Sequence, residues 1–548
     1  MDMVQSTRVG RDIFCLRKTV LCLLILGICQ PVTRVIAQTA LPGVADAEDS
    51  TKSVLNRPGT TILPGVRTSV TYSDNLNRNI KSEAVAGFRV EVAPYILAAV
   101  NSASARGYAY YASRNFFRTA GVDANQFEPP RHDFLTNGRY QLIPAFLSLQ
   151  GSAFMYDVNP INFGVTSADS GSVFLYPRRV QGYSIGPIAE GQLGAFATYS
   201  GGFSYGQTGL KGADVNQSSR TINGAVKSGS SFNRWGWEWN GLNQVRDFAG
   251  GGTFERNLSN GILYWVPNES LRVGASIRYS QISGFASDTG KKSGYGPGIA
   301  VNWNPSTLTQ IRFNASAEYF GTTGELWITH STPRFTFDTL YERGSLNSSN
   351  ATLLNQNPTA FTRTGDGTSA ANTQFQNYVT DSLYNRYGVL TGLGVVDSAF
   401  VRKDGGRMSM SYKLTALSKV SLTYFDIKES TKIATSNPAL GGSSVTGTVL
   451  PSSGVFTGDV ARKGISLTSE IAFDARSKFG ISLNSYTNNY PSVGREQKVI
   501  SLSTIYSTRI SPSATALVGL RHSELSGRGY QAVSYGENSV FGAVDMRF

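Results

Sequence analysis

The stretch RWGWEWNG, residues 234–241, places a tryptophan at every second position: Trp235, Trp237 and Trp239. Arg234 and Glu238 alternate with them. Because successive side chains of a β-strand point to opposite faces, this spacing predicts a strand with one aromatic face and one polar face. Two surroundings fit such a strand. The tryptophans would face the core of a soluble β-sandwich, or lipid near a membrane interface, where the amphipathic indole is favoured.

The same alternation of apolar and polar residues recurs from residue 66 to the C terminus, and helical spacing is nearly absent. Examples are LRVGASIRY (271–279), IRFNASAEY (311–319) and ISLTSEIAF (465–473). Alternating segments of about 10 residues are typical of transmembrane β-barrels, and closing the sheet removes its edges. We therefore predict an all-β fold, a single antiparallel transmembrane β-barrel of about 18 strands (roughly 16–20), from a repeat of about 22–25 residues.

The first 37 residues have the pattern of a secretory signal peptide. Four basic residues precede the apolar run 19–29, and a small-residue cleavage pattern, VIA, ends at residue 37. An uncleaved anchor and a lipidation site at LGIC (26–29) are the alternatives. All three cysteines lie in this segment, so the mature chain would contain no disulfide and no cysteine metal site. We expect residues 38–64 to form a periplasmic tail and residues 65–548 to form the barrel.

The composition favours the membrane interpretation. Charged residues make up 16% of the chain, and a soluble β protein of this length would carry more surface charge. The net charge is +13 without a dense run of Lys and Arg, which argues against nucleic-acid binding. The chain ends in an alternating strand whose last residue is Phe548, and this ending resembles the assembly signature of bacterial outer-membrane barrels. We therefore expect the tryptophans to face lipid in the outer membrane of a Gram-negative bacterium.

The alternation assigns side chains to the two faces of the predicted wall. The aromatic residues expected to face lipid are Trp235, Trp237, Trp239, Tyr279, Tyr319 and Phe548. The charged residues expected to face the lumen are Arg234, Glu238, Arg272, Arg278, Arg312, Glu318, Arg334, Asp338, Arg407, Lys413 and Lys478. Since rings of basic side chains favour anions in pores, this basic excess predicts a weakly anion-selective lumen. The alternative is that pairs of arginines and acids brace the wall.

One long segment, residues 344–396, breaks the strand rhythm. It is rich in Asn, Ser, Thr and Gly and is too long for a tight connection. Long loops of this kind are often functional. An extracellular loop and a constriction folded into the lumen are the two interpretations.

No catalytic, cofactor or metal site is predicted. Two Gly-x-Ser-x-Gly matches occur, GYSIG (182–186) and GFSYG (202–206). A nucleophile elbow needs a following helix, and neither match precedes a helical pattern. His132, His330 and His522 are far apart in the sequence and lack metal-ligand spacing. We therefore expect that the protein is not an enzyme.

Four short motifs follow one another along the chain. They are VTYSDNLN (70–77), WNPSTLT (303–309), EYFGTTGELWITH (318–330) and the terminal GENSVFGAVDMRF (536–548). The residues that carry the likeness are Tyr72, Asp74 and Asn75 in the first motif, Trp303, Pro305, Ser306 and Thr309 in the second, and Phe320, Gly321 and His330 in the third. In this order the motifs resemble a family of outer-membrane β-barrel porins associated with PEP-CTERM/exosortase and exopolysaccharide loci. The resemblance covers most of residues 65–548, although 344–396 fits it poorly. It implies an outer-membrane barrel in polysaccharide export or surface assembly, with no catalytic residues.

The function predicted from these observations is a porin-like passive outer-membrane channel, linked through the resemblance to exopolysaccharide export. The alternative is a structural or adhesive surface barrel whose lumen is plugged and which has no transport role. The expected partners are outer-membrane lipid, the barrel-assembly machinery, and polysaccharide or small solutes. No cofactor and no nucleic-acid partner are expected.

Overall fold

The computed structural model describes most of the chain from residue 58 onward. The described residues are 58–76, 84–119, 126–158, 178–210, 215–248, 253–283, 292–318, 321–347, 401–431, 460–474, 476–491, 494–529 and 534–548. The predicted signal peptide (1–37) lies outside them, as do residues 38–57 of the predicted tail. Tyr319 and residues 348–400, which include most of the predicted long loop, lie outside them as well.

The described residues form 22 β-strands. These are β1 (Gly59–Ser73), β2 (Gly87–Asn101), β3 (Ala105–Arg118), β4 (Gln126–Ile143), β5 (Leu147–Val158), β6 (Arg178–Leu193), β7 (Ala197–Leu210), β8 (Val215–Ser228), β9 (Trp235–Phe248), β10 (Thr253–Asn268), β11 (Leu271–Ser283), β12 (Lys292–Ser306), β13 (Thr309–Glu318), β14 (Gly321–Ser331), β15 (Phe335–Asn347), β16 (Val401–Lys413), β17 (Ser418–Thr431), β18 (Val460–Ala472), β19 (Ser477–Tyr490), β20 (Arg495–Ser511), β21 (Ala514–Arg528) and β22 (Tyr535–Arg547). Among the described residues, no helix reaches the length and hydropathy that crossing a bilayer requires.

The strands form one closed antiparallel sheet. Each strand pairs with the next along the chain, and β22 pairs with β1, from Gly65 opposite Arg547 to Ser73 opposite Ser539. The prediction of an all-β antiparallel barrel is confirmed, but the strand number is 22 and not about 18. The difference arises because each even-numbered strand joins its successor through a turn of only two to six residues. The mean repeat therefore lies at the short end of the predicted range.

The two ends of the barrel carry different connections. The short turns lie at the end where β1 begins and β22 finishes, and the longer connections, such as 348–400 and 432–459, join strands at the opposite end. Outer-membrane barrels have short periplasmic turns and longer extracellular loops, so the end with the short turns is periplasmic. Because β1 begins at Gly59, residues 59–64 belong to the wall and not to the predicted tail.

The two faces of the wall have opposite chemistry. On β1, Ser69, Thr71 and Ser73 are buried on the lumen side, whereas Val70 and Tyr72 are exposed on the outer side. This division follows the period of two that the sequence shows. The closed sheet pairs its backbone groups within the wall, as a hydrocarbon environment requires. The outer face can therefore be apolar around the whole circumference.

The tryptophan-rich strand is β9, and its aromatic face points outward. Trp235 and Trp239 are 56% and 44% exposed, and Trp235 lies opposite Trp265 of β10. Trp237 packs edge-on against Phe232, with 6.1 Å between the ring centroids. Since Trp235 opens β9 at the periplasmic end, these indoles lie where the aromatic girdle of a membrane barrel meets that interface.

A polar clasp joins the first and last strands at the extracellular end. Asp74 accepts hydrogen bonds from the backbone N–H of Asn538 (2.7 Å) and from its Nδ2 (2.6 Å). Asn75 Nδ2 donates to the carbonyl oxygen of Gly536 (3.0 Å). Two of the four motifs described above, far apart in the sequence, therefore meet where the barrel closes.

Candidate functional site

The lumen face of the wall carries charged residues on many strands. Of the charged residues singled out in the sequence, those at lumen-side positions of the strand register are Glu238, Arg272, Arg278, Arg312, Glu318, Asp338, Arg407, Lys413 and Lys478. Arg234 and Arg334 lie instead in the turns that precede β9 and β15. Their side chains therefore belong to the periplasmic rim and not to the strand wall.

Several of these charged groups are engaged with each other or with a neighbouring acid. Arg278 NH1 lies 2.9 Å from Glu318 Oε1, and the Glu318 carboxylate is almost fully buried. Arg407 lies 3.9 Å from Asp338, and Lys478 lies 3.8 Å from Glu470. Such contacts brace neighbouring strands, and their geometry is closest to ideal in the buried Arg278 pair.

Arg312 makes a different kind of contact. Its guanidinium carbon lies 4.7 Å from the ring centroid of Trp327, a distance typical of cation–π stacking. Trp327 also donates a hydrogen bond from Nε1 to Asp338 (2.9 Å). This tryptophan lies opposite Arg312 in the register and so faces the lumen, unlike the three of β9.

The remaining aromatic residues expected to face lipid lie at the two ends of the outer face. Tyr279 packs against Tyr295 of the neighbouring strand, with 5.0 Å between the ring centroids. Phe548 follows β22 at the periplasmic end, where it is exposed and its backbone N–H donates to the Pro64 carbonyl (2.9 Å). Tyr319 lies outside the described residues.

A dense group of charged residues on the lumen face was not singled out in the sequence. Three guanidinium groups surround the ring of Phe116 on the lumen face of β2–β4. The guanidinium carbons of Arg89, Arg131 and Arg114 lie 3.9, 4.9 and 5.0 Å from the ring centroid. Phe116 is 1% exposed and Arg89 is 2% exposed. The ring is the centre about which the three charges are packed.

Two carboxylates and a fourth arginine complete this group. Glu91 Oε1 lies 2.6 Å from Arg114 Nε, and Asp133 Oδ2 lies 3.8 Å from Arg114 NH1. Arg118 lies directly opposite Arg89 in the β2–β3 register. We call these residues the arginine cluster: Arg89, Glu91, Arg114, Phe116, Arg118, Arg131 and Asp133. Four guanidinium groups against two carboxylates give the cluster a positive excess.

The cluster lies at the extracellular end of the lumen. Arg118 is the last residue of β3, and Arg89 is close to the first residue of β2, so both lie where these strands meet the extracellular connections. A guanidinium that stacks on a ring uses its face, and its N–H donors lie in its edge, where they meet oxygen acceptors as Arg114 meets Glu91. Carboxylates and phosphates are the groups that such edges bind best, often in bidentate geometry.

Sequence reasoning missed the cluster because its members lie on three strands. They become neighbours only through the register, which includes a bulge between Arg114 and Phe116 where β3 pairs with β4. A bulge changes which residues share a face. The one available signal was the recurrence of arginine at even positions of β3, at 106, 114 and 118.

A neutral stretch of the lumen face lies on β16–β20, between charged residues such as Lys478 and Glu470 towards the periplasmic end and Arg462 and Arg495 towards the extracellular end. Here the lumen-side residues pair through hydroxyl and amide groups: Ser409 with Thr423 (3.2 Å), Ser466 with Asn484 (2.6 Å), Asn484 with Ser501 (3.3 Å) and Ser482 with Ser503 (3.1 Å). We call these seven residues the hydroxyl wall. Each contact links neighbouring strands without adding charge.

Histidines and potential nucleophiles are scattered. His132, His330 and His522 contact Tyr111, Thr309 and Asn538, respectively, at 2.8–2.9 Å. Within the described part of the chain, no three His, Cys, Asp or Glu side chains gather as a metal site would require. The serines of the two Gly-x-Ser-x-Gly matches lie inside β6 and β7. That the protein is not an enzyme stays a prediction.

Comparison with known proteins identifies similar structures only. No protein-family model and no curated protein sequence matches this chain. The FrpB iron transporter of Neisseria meningitidis is 10% identical with a TM-score of 0.49, over 91% of this chain and 83% of that chain. The ferric-catecholate import receptor Fiu of E. coli K12 is 10% identical with a TM-score of 0.47, over 88% and 81%. A ferric enterobactin receptor (PfeA) mutant of Pseudomonas aeruginosa is 8% identical with a TM-score of 0.44, over 90% and 81%. Likeness at this level carries no inference about the solute.

The closed antiparallel wall, with its apolar outer face, defines the class of the protein: an integral β-barrel of the Gram-negative outer membrane. Contact with outer-membrane lipid follows from this location. Contact with the barrel-assembly machinery stays a prediction, and so does the resemblance to the exosortase-associated family.

The prediction of a porin-like passive channel is wrong. Porins of 16–18 strands enclose an aqueous channel, whereas 22-stranded outer-membrane transporters have a plugged lumen. This wall has 22 strands and belongs to the larger size class. The link to exopolysaccharide export and the alternative of a structural barrel without transport are withdrawn with it.

Proposed function

We propose that this barrel is an outer-membrane transporter that binds anionic solutes at the arginine cluster before they cross. The observation that carries the proposal is the packing of three guanidinium groups around Phe116 at the extracellular end of the lumen. The solute class is defined by chemistry: a small molecule or chelate that presents carboxylate or phosphate oxygens.

The charge of the surrounding wall supports this solute class. Seven arginines of β1–β4 occupy lumen-side register positions: Arg67, Arg89, Arg106, Arg114, Arg118, Arg131 and Arg139. On the same face of these strands, Glu91 and Asp133 are the acids among the residues whose side chains are described. Walls of one sign and low dielectric focus the field, so an anion would be concentrated along the wall formed by β1–β4.

The size of the barrel supports a binding step. A wall of 22 strands is wide enough that it would not select small solutes by diameter alone. Selection must then come from contacts, and bidentate guanidinium contacts provide both affinity and geometry. A transporter of this kind holds its solute, whereas a passive pore only sieves it.

Binding of a defined anionic probe tests the proposal. The full chain, purified in neutral detergent, is titrated into an aromatic dye that carries three sulfonates and into an uncharged dye with the same rings, with fluorescence anisotropy as the readout. We expect the double variant Arg89→Gln/Arg131→Gln to bind the anionic dye about tenfold more weakly, because two of the positive charges that attract the anion to this wall are lost. The uncharged dye should bind weakly to both proteins.

A matched control uses the other side of the lumen. Ser466→Ala/Ser503→Ala removes two polar groups from the hydroxyl wall and should leave anionic-dye affinity unchanged. The more conservative Arg89→Lys should retain more affinity than Arg89→Gln. Equal binding of the two dyes, or equal loss in the hydroxyl-wall control, would overturn the proposal.

A further inference from the structure

A run of basic side chains borders the lumen at its periplasmic mouth, on β15–β20. Lys413 and Lys419 lie directly opposite each other on β16 and β17. Arg334 lies opposite Lys413 on its other side, because the Lys413 backbone N–H donates to the Arg334 carbonyl oxygen (2.8 Å). The run continues on β19, on β20 and in the turn before β19. We call these six residues the basic arc: Arg334, Lys413, Lys419, Arg476, Lys478 and Arg509.

The basic arc faces the lumen and not the bilayer. Lys413, Lys419 and Lys478 occupy lumen-side positions of the register. Arg509 shares the face of Ser507, which lies opposite Lys478 and is buried. Except for the half-buried Lys478, the side chains of the arc are exposed. A binding partner therefore reaches the arc from the lumen or from the periplasm.

Basic residues lie directly opposite each other three times within the arc. Arg334 lies opposite Lys413, and Lys413 lies opposite Lys419. Arg476 lies opposite Arg509, whose backbone N–H donates to the Arg476 carbonyl oxygen (2.9 Å). Like charges directly opposite on neighbouring strands are destabilising. An anion placed between the members of such a pair relieves their repulsion, so this arrangement favours an anionic partner.

The neighbouring carboxylates do not cancel the charge of the arc. Glu470 Oε1 lies 3.8 Å from Lys478 Nζ. Asp474 accepts hydrogen bonds from two backbone N–H groups of its own turn. Asp338 lies further into the lumen, 3.9 Å from Arg407. Among the described residues at the level of the arc on β15–β20, six basic side chains therefore stand against the two carboxylates Glu470 and Asp474.

The charges of the arc are spread along the rim. From β15 to β20 the arc covers five strand spacings, about 24 Å at about 4.8 Å each. An extended peptide covers this distance with about seven residues. In the arginine cluster three guanidinium groups converge on Phe116, whereas the arc presents exposed, flexible side chains in a row. Such a row holds a chain with several anionic groups better than one small anion, because each contact after the first is intramolecular.

We propose that the basic arc docks an acidic segment of a periplasmic protein, an extended stretch of about seven residues whose carboxylates lie against the arginines and lysines. Charge complementarity carries the choice of this partner. Lipid headgroups do not meet the arc, because it faces the lumen. This inference does not depend on the proposed solute, since the arginine cluster lies at the opposite end of the barrel.

The test measures binding of labelled peptides to the full chain in neutral detergent at low ionic strength, with fluorescence anisotropy as the readout. The probes are octaglutamate, octaglutamine and diglutamate, all with the same dye. We expect the wild type to bind octaglutamate much more tightly than either of the other two. In Lys413→Gln/Lys419→Gln the affinity for octaglutamate should fall about tenfold, because two of the six positive charges are lost. Both lysines are exposed, so the variant should fold as the wild type does.

Three further variants make the result decisive. Lys463→Gln/Lys498→Gln removes the same charge from the outer face at the extracellular end, and it should keep the affinity for octaglutamate. Lys413→Arg/Lys419→Arg should keep it as well, because the charge is retained. Glu470→Gln removes the carboxylate that lies beside Lys478 and should strengthen binding severalfold.

Two outcomes would overturn the proposal. Unchanged octaglutamate affinity in Lys413→Gln/Lys419→Gln, or an equal loss in the Lys463→Gln/Lys498→Gln control, would show that the arc is only a solvated rim. Equal affinities for diglutamate and octaglutamate would show that the arc binds small anions and not an extended acidic segment.

Discussion

The arginine cluster on β2–β4 and the hydroxyl wall on β16–β20 are both polar, yet they are stabilised in different ways. In the arginine cluster, Glu91 and Asp133 offset part of the charge of four arginines, and Phe116 provides the surface on which three of them stack. In the hydroxyl wall, neutral groups pair across strands with little charge to offset. The comparison teaches that the alternation of residue types ensures a polar lumen. The position of charge within the lumen depends instead on a few residues. Removing these residues should reduce the stability of the barrel by unequal amounts.

The largest effect is expected from removing a carboxylate of the arginine cluster. Glu91→Gln keeps the shape but leaves Arg114 without its charged partner at 2.6 Å. Breaking a buried ion pair from one side costs about 3–5 kcal/mol. The free energy of unfolding, measured by urea titration in detergent micelles, should fall by that amount. Ser466→Ala in the hydroxyl wall should cost only about 1 kcal/mol, and equal losses would refute the contrast between the two walls.

The second effect concerns the ring at the centre of the cluster. Phe116→Leu keeps most of the apolar volume and removes the π face on which three guanidinium groups lie. We expect a loss of about 2 kcal/mol in the free energy of unfolding, because each cation–π contact contributes about 0.5–2 kcal/mol.

Phe541→Leu is the matched control for this substitution. Phe541 is buried on the lumen side of β22, and no guanidinium of the described residues stacks on its ring. It should lose clearly less stability than Phe116→Leu. If both variants lose the same amount, Phe116 acts through apolar packing alone.

A third prediction compares the polar clasp between β1 and β22 with an exposed ion pair elsewhere on the extracellular rim. Asp74→Ala removes two hydrogen bonds to Asn538 at the point where β1 meets β22. We expect a loss of about 1–2 kcal/mol, since hydrogen bonds to a charged group contribute more than neutral ones. Asp247→Ala removes an exposed ion pair with Arg220 (3.0 Å), which should cost at most about 1 kcal/mol. The midpoint of heat-induced loss of the folded band on a gel would rank the two variants.

The smallest effect is expected at a turn below the hydroxyl wall. Asp474, between β18 and β19, accepts hydrogen bonds from the backbone N–H groups of Arg476 and Ser477, and these lower the pKa of its carboxyl group below the ordinary value of 3.8. A lowered folded pKa stabilises the fold above the unfolded pKa, and this contribution is lost as pH falls through the folded pKa.

The wild type and Asp474→Ala should therefore differ slightly in unfolding midpoint at neutral pH and converge below about pH 4. A difference that grows on acidification would contradict the sign of this pKa shift. Asp426→Ala is the variant with which Asp474→Ala is compared. Asp426 lies on β17, the strand next to β18, and its carboxylate pairs with Lys463.

Much of the architecture was predictable because strand side chains alternate with a period of two. The spacing of Trp235, Trp237 and Trp239 indicated a strand with an aromatic outer face, and the structure places them there. The strand number was not predictable with the same accuracy, because it depends on turn lengths that vary independently of the pattern. The predicted passive-channel function failed with it, since the size of a barrel decides whether its lumen is a simple aqueous channel.

The sequence by itself determined that this chain is a membrane barrel with one apolar and one polar face, because alternation of residue types acts locally along each strand. Only the tertiary structure decided which polar residues meet. Arg89, Phe116 and Arg131 become neighbours through inter-strand register and one bulge, and Asp74 reaches Asn538 only because the first and last strands pair. A shift of register by one residue would turn each strand's side chains to the other face. The arginine cluster and the clasp are therefore properties of the closed sheet.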